Sequence, residues 1–158
     1  MNFSIPDLWR RLSGKPGGRL LFSFLVGRLA RYSGSIGARV QELEPGKSLL
    51  TLRDRPRVRN HLGSVHATAL VTFGELASGL AMMAGMPDGS RAIVTKLEIE
   101  YLHKARGPLT AHGEAPIPPN AERQEYVAQV SIRNTGDEEV AHLQVHWLVG
   151  PAKQVQSR

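Results

Sequence analysis

From His66 to Met86 the chain reads HATALVTFGELASGLAMMAGM, and Glu75 is the only Asp, Glu, Lys or Arg in that run. A segment this long and this apolar predicts a buried helix that is apolar nearly all round. Such a helix needs cover on more sides than one flat sheet provides. It therefore predicts a sheet curled about the helix, with a second copy of the chain completing the cover. Glu75 is the misfit, because a carboxylate inside such a helix is costly to desolvate unless something pairs with it or uses it. Just ahead, RNHLGSVHA from Arg59 to Ala67 concentrates Asn, His and Gly. Together the two features predict a site at the head of the helix.

The flanking patterns supply the layers. Residues 4–13 predict a short helix with Ser4 as cap and Asp7 three residues on. SGKPGG breaks it, and residues 19–31 predict a second helix in which Leu21, Phe24, Leu25 and Leu29 recur at helical spacing. That helix is expected to cover one edge of the core, although a basic amphipathic element can also touch a membrane surface. Two short strands follow, 38–43 and 47–53, joined by a turn at Glu44-Pro45-Gly46. Arg53, Arg55, Arg57 and Arg59, spaced by two, would share a face on an extended chain, and Pro56 marks an edge or loop. The long helix is expected to start near Ser64 or His66 and to stop near Gly85, before Met86-Pro87-Asp88-Gly89.

Four strands are predicted beyond it, at 92–102, 109–115, 124–133 and 140–149. Ile93, Thr95, Leu97, Ile99 and Tyr101 are expected on one side of the first. Leu143, Val145, Trp147 and Val149 form the apolar side of the last, opposite Gln144 and His146. One apolar helix and one antiparallel sheet make an α+β architecture. The expected organisation is an N-terminal helical extension over 1–33, a core domain over 34–150 and a polar tail over 151–158.

With 158 residues the chain suits one domain with a small appendage. The absence of Cys excludes disulfides, a thiol nucleophile and a zinc–thiolate site. The six His form no HExxH or HxxxH pair on a predicted helix, so no metal is expected. The opening MNFSIPDLWRRLSGKPGG lacks an apolar core behind a basic head, and no run of 18 residues suits a membrane span. The cytoplasm is the expected compartment, without stable membrane insertion. The net charge of +6 admits nucleic acid, an anionic surface or a phosphate-bearing substrate. Few aromatics lie in basic surroundings and no recognisable module is present, so nucleic acid is not expected.

The order of elements resembles the hotdog fold, a curved antiparallel sheet wrapped around a central helix. Asn60 to Gly79 resembles the phenylacetyl-CoA-type branch of the acyl-CoA thioesterases. Their motif runs Asn, two residues, Gly, two residues, His-Gly-Gly, then an acidic residue in the helix. Asn60, Gly63 and His66 match in place and Glu75 takes the acidic position, while Ala67-Thr68 replaces the Gly-Gly pair. Over residues 5–150 the chain is most similar to the thioesterase-like DUF4442 family, with ARVQELEPGKSLLTLRDRPRVRNHLGSVHATAL and IEYLHKARG carrying the likeness.

The resemblance implies an acyl-CoA or related thioester as substrate. It implies active sites at the interface of a homodimer or dimer of dimers, and coenzyme A as part of the substrate rather than a cofactor. Thioester hydrolysis needs donors for an oxyanion, a base or nucleophile, and a pocket that aligns the thioester. Backbone N–H groups at Ala67 and Thr68 are the expected oxyanion donors, Ala67 chief among them. Glu75 is the expected base or nucleophile, its pKa raised by burial. Nine residues separate His66 from Glu75, about 900° of helix, which predicts opposite faces and a meeting only across two antiparallel helices of a dimer.

Asn60 is expected to orient water or hold the carbonyl, His66 to cap the helix or donate to substrate, and Gly63 and Thr68 to line the site. His61 is assigned a loop role. Ser64 is expected as helix cap, since GSVH is not a nucleophile elbow. Arg57 and Arg59, with Lys104 and Arg106, are candidates for the coenzyme A phosphates. Glu98 and Glu100 are expected solvated or paired, and Met82, Met83 and Met86 in the core or an acyl pocket. Two other readings share the fold. One is a non-catalytic acyl-CoA or lipid-binding protein, supported by Ala67-Thr68. The other is a dehydratase using His66 and Glu75.

Overall fold

The structure, a computed structural model, describes residues 4–152. Residues 153–158, most of the expected tail, lie outside the described residues, as do residues 1–3. Three helices open the chain: α1 (Ile5–Leu12), α2 (Gly18–Leu29) and the single turn α3 (Arg31–Gly34). Strands β1 (Arg39–Glu44) and β2 (Lys47–Leu52) follow, then a 3-10 turn at Pro56–Val58 and the central helix α4 (Ala67–Gly85). Four strands complete the chain: β3 (Ser90–Tyr101), β4 (Leu109–Glu114), β5 (Gln124–Arg133) and β6 (Glu139–Pro151). All pair antiparallel in one sheet of order β1-β2-β4-β5-β6-β3. This is the hotdog fold, with α4 as the filling.

α4 ends where its chemistry requires. Met86 precedes Pro87 and takes an extended conformation, φ −69° and ψ 145°, as a pre-proline residue prefers. By length and composition α4 is apolar enough to cross a membrane, but most of it is buried inside this sheet. Its small residues allow close approach. A Cβ on Gly79 would lie 3.1 Å from the Trp147 ring, and one on Gly74 would collide with Leu143. On the sheet side, a Cβ on Gly113 would meet the Ala77 carbonyl oxygen at 2.8 Å and Ser48 Oγ at 2.6 Å. Buried polar ties then fix the rotation of α4. The Trp147 indole donates to Ser78 Oγ at 3.1 Å, Ser78 donates to the Glu75 carbonyl at 2.8 Å, and Ser48 donates to the Ala77 carbonyl at 2.8 Å.

The N-terminal helices close one side. Fully buried Phe22 meets Trp9 edge-on, ring centroids 4.9 Å apart, which docks α1 on α2. Ser23 Oγ accepts from the Val40 N–H at 2.9 Å, so α2 covers the free edge of β1.

Four local expectations are revised. The buried face of α2 is Gly18, Phe22 and Val26, whereas Leu21, Phe24 and Leu29 are exposed. Several apolar positions compete on this helix, and sequence spacing alone does not choose the inner set. A bulge between Val94 and Lys96 inverts the alternation of β3, leaving Ile93 on the opposite face from Leu97 and Ile99. Ser4 precedes α1 but makes no side-chain cap bond. The four arginines share no face: the 3-10 turn interrupts them, Arg55 donates to the Ile36 carbonyl at 2.7 Å, and Arg59 pairs with Asp54 at 2.6 Å.

Gly113→Ala should lower stability by about 1–3 kcal/mol, because the nearest obstacle includes helix backbone that cannot rotate away. Gly136→Ala, whose Cβ meets nothing nearer than 3.4 Å, is the comparison. Urea midpoints measure both, and equal midpoints would refute the close approach of β4 to α4.

Candidate active site at the head of the central helix

The loop before α4 is a hook built on Asn60. Its Oδ1 accepts from the N–H groups of Leu62 (2.9 Å) and Ser64 (3.1 Å). Its backbone N–H donates to the Ser64 carbonyl and its carbonyl accepts from Gly63. Gly63 sits at φ 71°, a conformation that favours glycine. The hook is held at both ends, Val65 N–H donating to the Ala105 carbonyl and His66 N–H to the Val58 carbonyl. The Asn60 oxygen is thus committed to the loop.

His66, not Ser64, caps α4. Its Nδ1 accepts from the Thr68 N–H at 3.1 Å and lies 2.8 Å from Thr68 Oγ1. An accepting Nδ1 places the ring proton on Nε2. Ser64 is buried instead, and its hydroxyl has no partner among the described residues. Of the two expected oxyanion donors, Thr68 N–H is occupied by His66. Ala67 N–H has no acceptor among the described residues and remains open at the positive end of the helix. The Tyr101 hydroxyl donates to the Ala67 carbonyl at 3.2 Å, tying the end of β3 to the same spot.

A cleft of about 270 Å³ runs along this head, with His66, Thr68 and Thr72 on one wall and Tyr32, Ser35 and Arg57 among the others. Glu75 lies one turn further. Because His66 is an extended cap rather than a helical residue, the angular count from it does not apply. Counted from Thr68, the side chains of Thr68, Thr72 and Glu75 fall within an arc of about 60°. Head and carboxylate therefore share the flank that faces α3. Burial is the main cause that pushes the Glu75 carboxyl above its ordinary range, and the Ser33 hydroxyl of α3 partly opposes it. About 12 Å of helical rise separates Ala67 from Glu75. Among the described residues, no hydrogen bond or ion pair joins Glu75 to His66 within the chain.

The basic candidates come from two loops that are fastened together. Asp54 accepts from Arg59 through one oxygen and from the Gly107 N–H through the other, at 2.7 Å. Val65 reaches Ala105 from the same side. Arg57 and Arg59 line the cleft, while Lys104 and Arg106 are exposed on the adjoining loop. His61 is exposed in the hook. Glu98 lies 3.0 Å from Lys96, Met82 is fully buried, and Met83 is exposed. Among the described residues, no group of three or more His, Asp or Glu is placed to hold a metal.

Residues 18–149 match the model of a domain of unknown function, DUF4442. The chain belongs to the DUF4442 family. A structural-genomics crystal structure is 29% identical to this DUF4442 chain, covers 94% of it and 99% of its own length, and superposes with TM-score 0.81. A Pseudomonas aeruginosa protein named a probable thioesterase is 20% identical, covers 84% and 95% of the two chains, and has TM-score 0.74. A Streptococcus mutans protein solved bound to acetyl-CoA is 24% identical, covers 72% and 90%, and has TM-score 0.61. No curated protein sequence matches.

The DUF4442 match spans α2 to β6 and so includes both Glu75 and Ser33. Ser33, Thr72 and Tyr101 were not among the sequence candidates. Ser33 sits in a Ser/Gly segment that reads as a break, with no spacing that links it to Glu75. Tyr101 reads as one more strand residue.

The raised pKa of Glu75 gives a pH test with a definite sign. Its folded pKa lies above the ordinary 4.5, so its contribution to stability is full below that value and is lost as pH rises through the raised one. Glu75→Gln should therefore be more stable than the parent at about pH 8, and the gap should close towards about pH 4. Urea midpoints across that range check it. A gap independent of pH would show that Glu75 is not held in a desolvating site.

Proposed function

We propose that this protein is a thioesterase that hydrolyses acyl-CoA or a related thioester, acting in the cytoplasm as a homodimer or dimer of dimers with sites at the subunit interface. The observation that carries the reading is the open Ala67 N–H at the head of α4, on the same helix flank as a half-buried carboxylate of raised pKa. The likeness to proteins named thioesterases and to one holding acetyl-CoA supports it. In this reading the thioester carbonyl oxygen points at Ala67 N–H. Glu75 takes a proton from water, and the water oxygen bonds to the carbonyl carbon. The tetrahedral oxyanion is stabilised by the helix N-terminus. Collapse breaks the C–S bond, the proton goes to the leaving sulfur, and a carboxylic acid and free coenzyme A result. Coenzyme A belongs to the substrate, and no separate cofactor is required. Arg57, Arg59, Lys104 and Arg106 would meet its phosphates, with Gly63, Asn60 and His66 shaping the approach.

The separation of Ala67 and Glu75 is too long for one water to bridge, which supports a second copy. Ala67 is exposed, and Val71 and Glu75 are half-buried, so they form a stripe of α4 that its own sheet leaves partly open. Two antiparallel copies of α4 crossing near Val71 would set Glu75 of one beside Ala67 of the other. A second reading, acyl-CoA or lipid binding without turnover, is favoured by one observation: Thr68 N–H is already used by His66, leaving fewer donors than the Gly-Gly pattern of the resembling enzymes offers.

Free coenzyme A release from short, medium, long and aromatic acyl-CoAs separates the two. Turnover is expected, with Glu75→Gln abolishing it. Ala67→Pro deletes only the donor N–H, because proline is tolerated at the first helical position and His66 already has the extended conformation that precedes proline. Its expected effect is a loss of about 10²–10³ in kcat with the fold intact. Mixing the two inactive variants should restore about a quarter of parental turnover through hybrid dimers. No restoration would place the site within one chain. Tight binding without coenzyme A release would establish the second reading.

A further inference from the structure

Between Asp7 and Glu42 the chain carries Arg10, Arg11, Lys15, Arg19, Arg28, Arg31 and Arg39 and no carboxylate. This segment holds the whole positive excess of the chain. Only Arg10 has an acidic partner among the described residues, Asp7. The structure arranges these cations around apolar side chains that the core does not use. With Phe22 and Val26 turned inward, Leu20, Leu21 and Phe24 are 52%, 48% and 63% exposed. They fall within about 100° of one face of α2, together with Arg28. Two shallow clefts meet at this face. One, of about 320 Å³, is lined by Lys15, Arg19 and Arg39 with Leu20 at its rim. The other, of about 330 Å³, is lined mainly by apolar groups, among them Leu20, Phe24, Ala38 and Leu76. Leu20, Arg39 and Val40 border both.

We propose that this face docks the protein onto an anionic lipid bilayer, lipid phosphates lying against Lys15, Arg19 and Arg39 while Leu20, Leu21 and Phe24 enter the acyl boundary. The charge argument selects the occupant. Exposed apolar groups ringed by unpaired cations fit a surface that is anionic outside and apolar beneath. A two-fold contact of this face with itself would bring cations against cations. Nucleic acid would leave Leu20, Leu21 and Phe24 without an apolar partner, since stacking platforms use aromatic faces in series. Such docking is peripheral, because the one described helix apolar enough to cross a bilayer is mostly buried in the sheet. The inference stands apart from the thioesterase reading.

The test is co-sedimentation of the full chain with vesicles of phosphatidylcholine alone and of phosphatidylcholine with a quarter phosphatidylglycerol, at low and high salt. Binding is expected only to the anionic vesicles and should weaken with salt. The pair Lys15→Glu and Arg19→Glu should weaken it by more than about tenfold, near 1 kcal/mol for each cation lost and more on reversal. The pair Leu20→Ser and Phe24→Ser should weaken it by a similar factor, with the salt dependence retained. Circular dichroism and the urea midpoint should match the parent for both pairs. Absence of sedimentation, equal binding to both vesicles, or indifference to either pair overturns the proposal. So does a fall in oligomer mass with the apolar pair, which would make the occupant a second copy. Binding of single-stranded DNA that is lost with the charge pair alone would make it nucleic acid.

Discussion

The contact between α4 and the backbone of its sheet sets the terms for everything else. Gly113 on β4 is small because it lies against the Ala77 backbone of the helix, and Gly74 and Gly79 on the helix make room for the side chains of Leu143 and Trp147. Close packing of this kind forbids the helix to turn or slide without collision. The ties from Trp147 to Ser78 and from Ser48 to the Ala77 carbonyl satisfy polar groups where water is excluded and mark one rotation of the helix as correct. With that rotation fixed, the outward stripe of Ala67, Val71 and Glu75 follows. The position of the carboxylate is thus a consequence of packing on the opposite side of the helix.

A second constraint acts at the helix head. The Asn60 hook, the His66 cap and the ties to Val58 and Ala105 use most of the backbone N–H groups in the loop. The Ala67 N–H is left over. In a loop so thoroughly bonded, an open donor at the positive end of a helix is chemically distinct from its neighbours. His66 and Asn60 act first on the shape of this loop, since their side-chain acceptors are occupied by its backbone N–H groups.

Much of this was legible in the sequence. A long apolar run with one charge implies a buried helix and a curled sheet, and the turns at Gly46, Pro87 and Asn134 delimit the strands. Glu75 stood out because a charge there conflicts with its surroundings. What was not legible depends on choices among equivalent patterns. α2 offers apolar residues on several faces, and only the docking of Trp9 on Phe22 decides which points inward. The β3 alternation looks unbroken, yet the bulge near Thr95 changes its phase. Ser33 reaches the neighbourhood of Glu75 through tertiary folding alone, so no spacing encodes it. Ser64 and His66 are both plausible caps by type, and the hook selects between them by burying the serine.

The N-terminal helices carry two demands at once. Their inner face must cover the exposed edge of β1, which Ser23 and Phe22 accomplish, and the turn α3 must bring Ser33 towards Glu75. Neither task calls for Leu20, Leu21 and Phe24 on the outside or for seven cations without a carboxylate among them. Solubility would be served equally well by mixed charge, and single exposed apolar residues need no explanation. Three on one helix face, bordered by a cleft of unopposed cations, are a combination that folding does not require. The same helices border the apolar cleft that reaches Leu76, the neighbour of Glu75 on α4. An element that covers the core, borders a cleft beside the carboxylate and presents an amphipathic outer face therefore meets more demands than packing alone imposes.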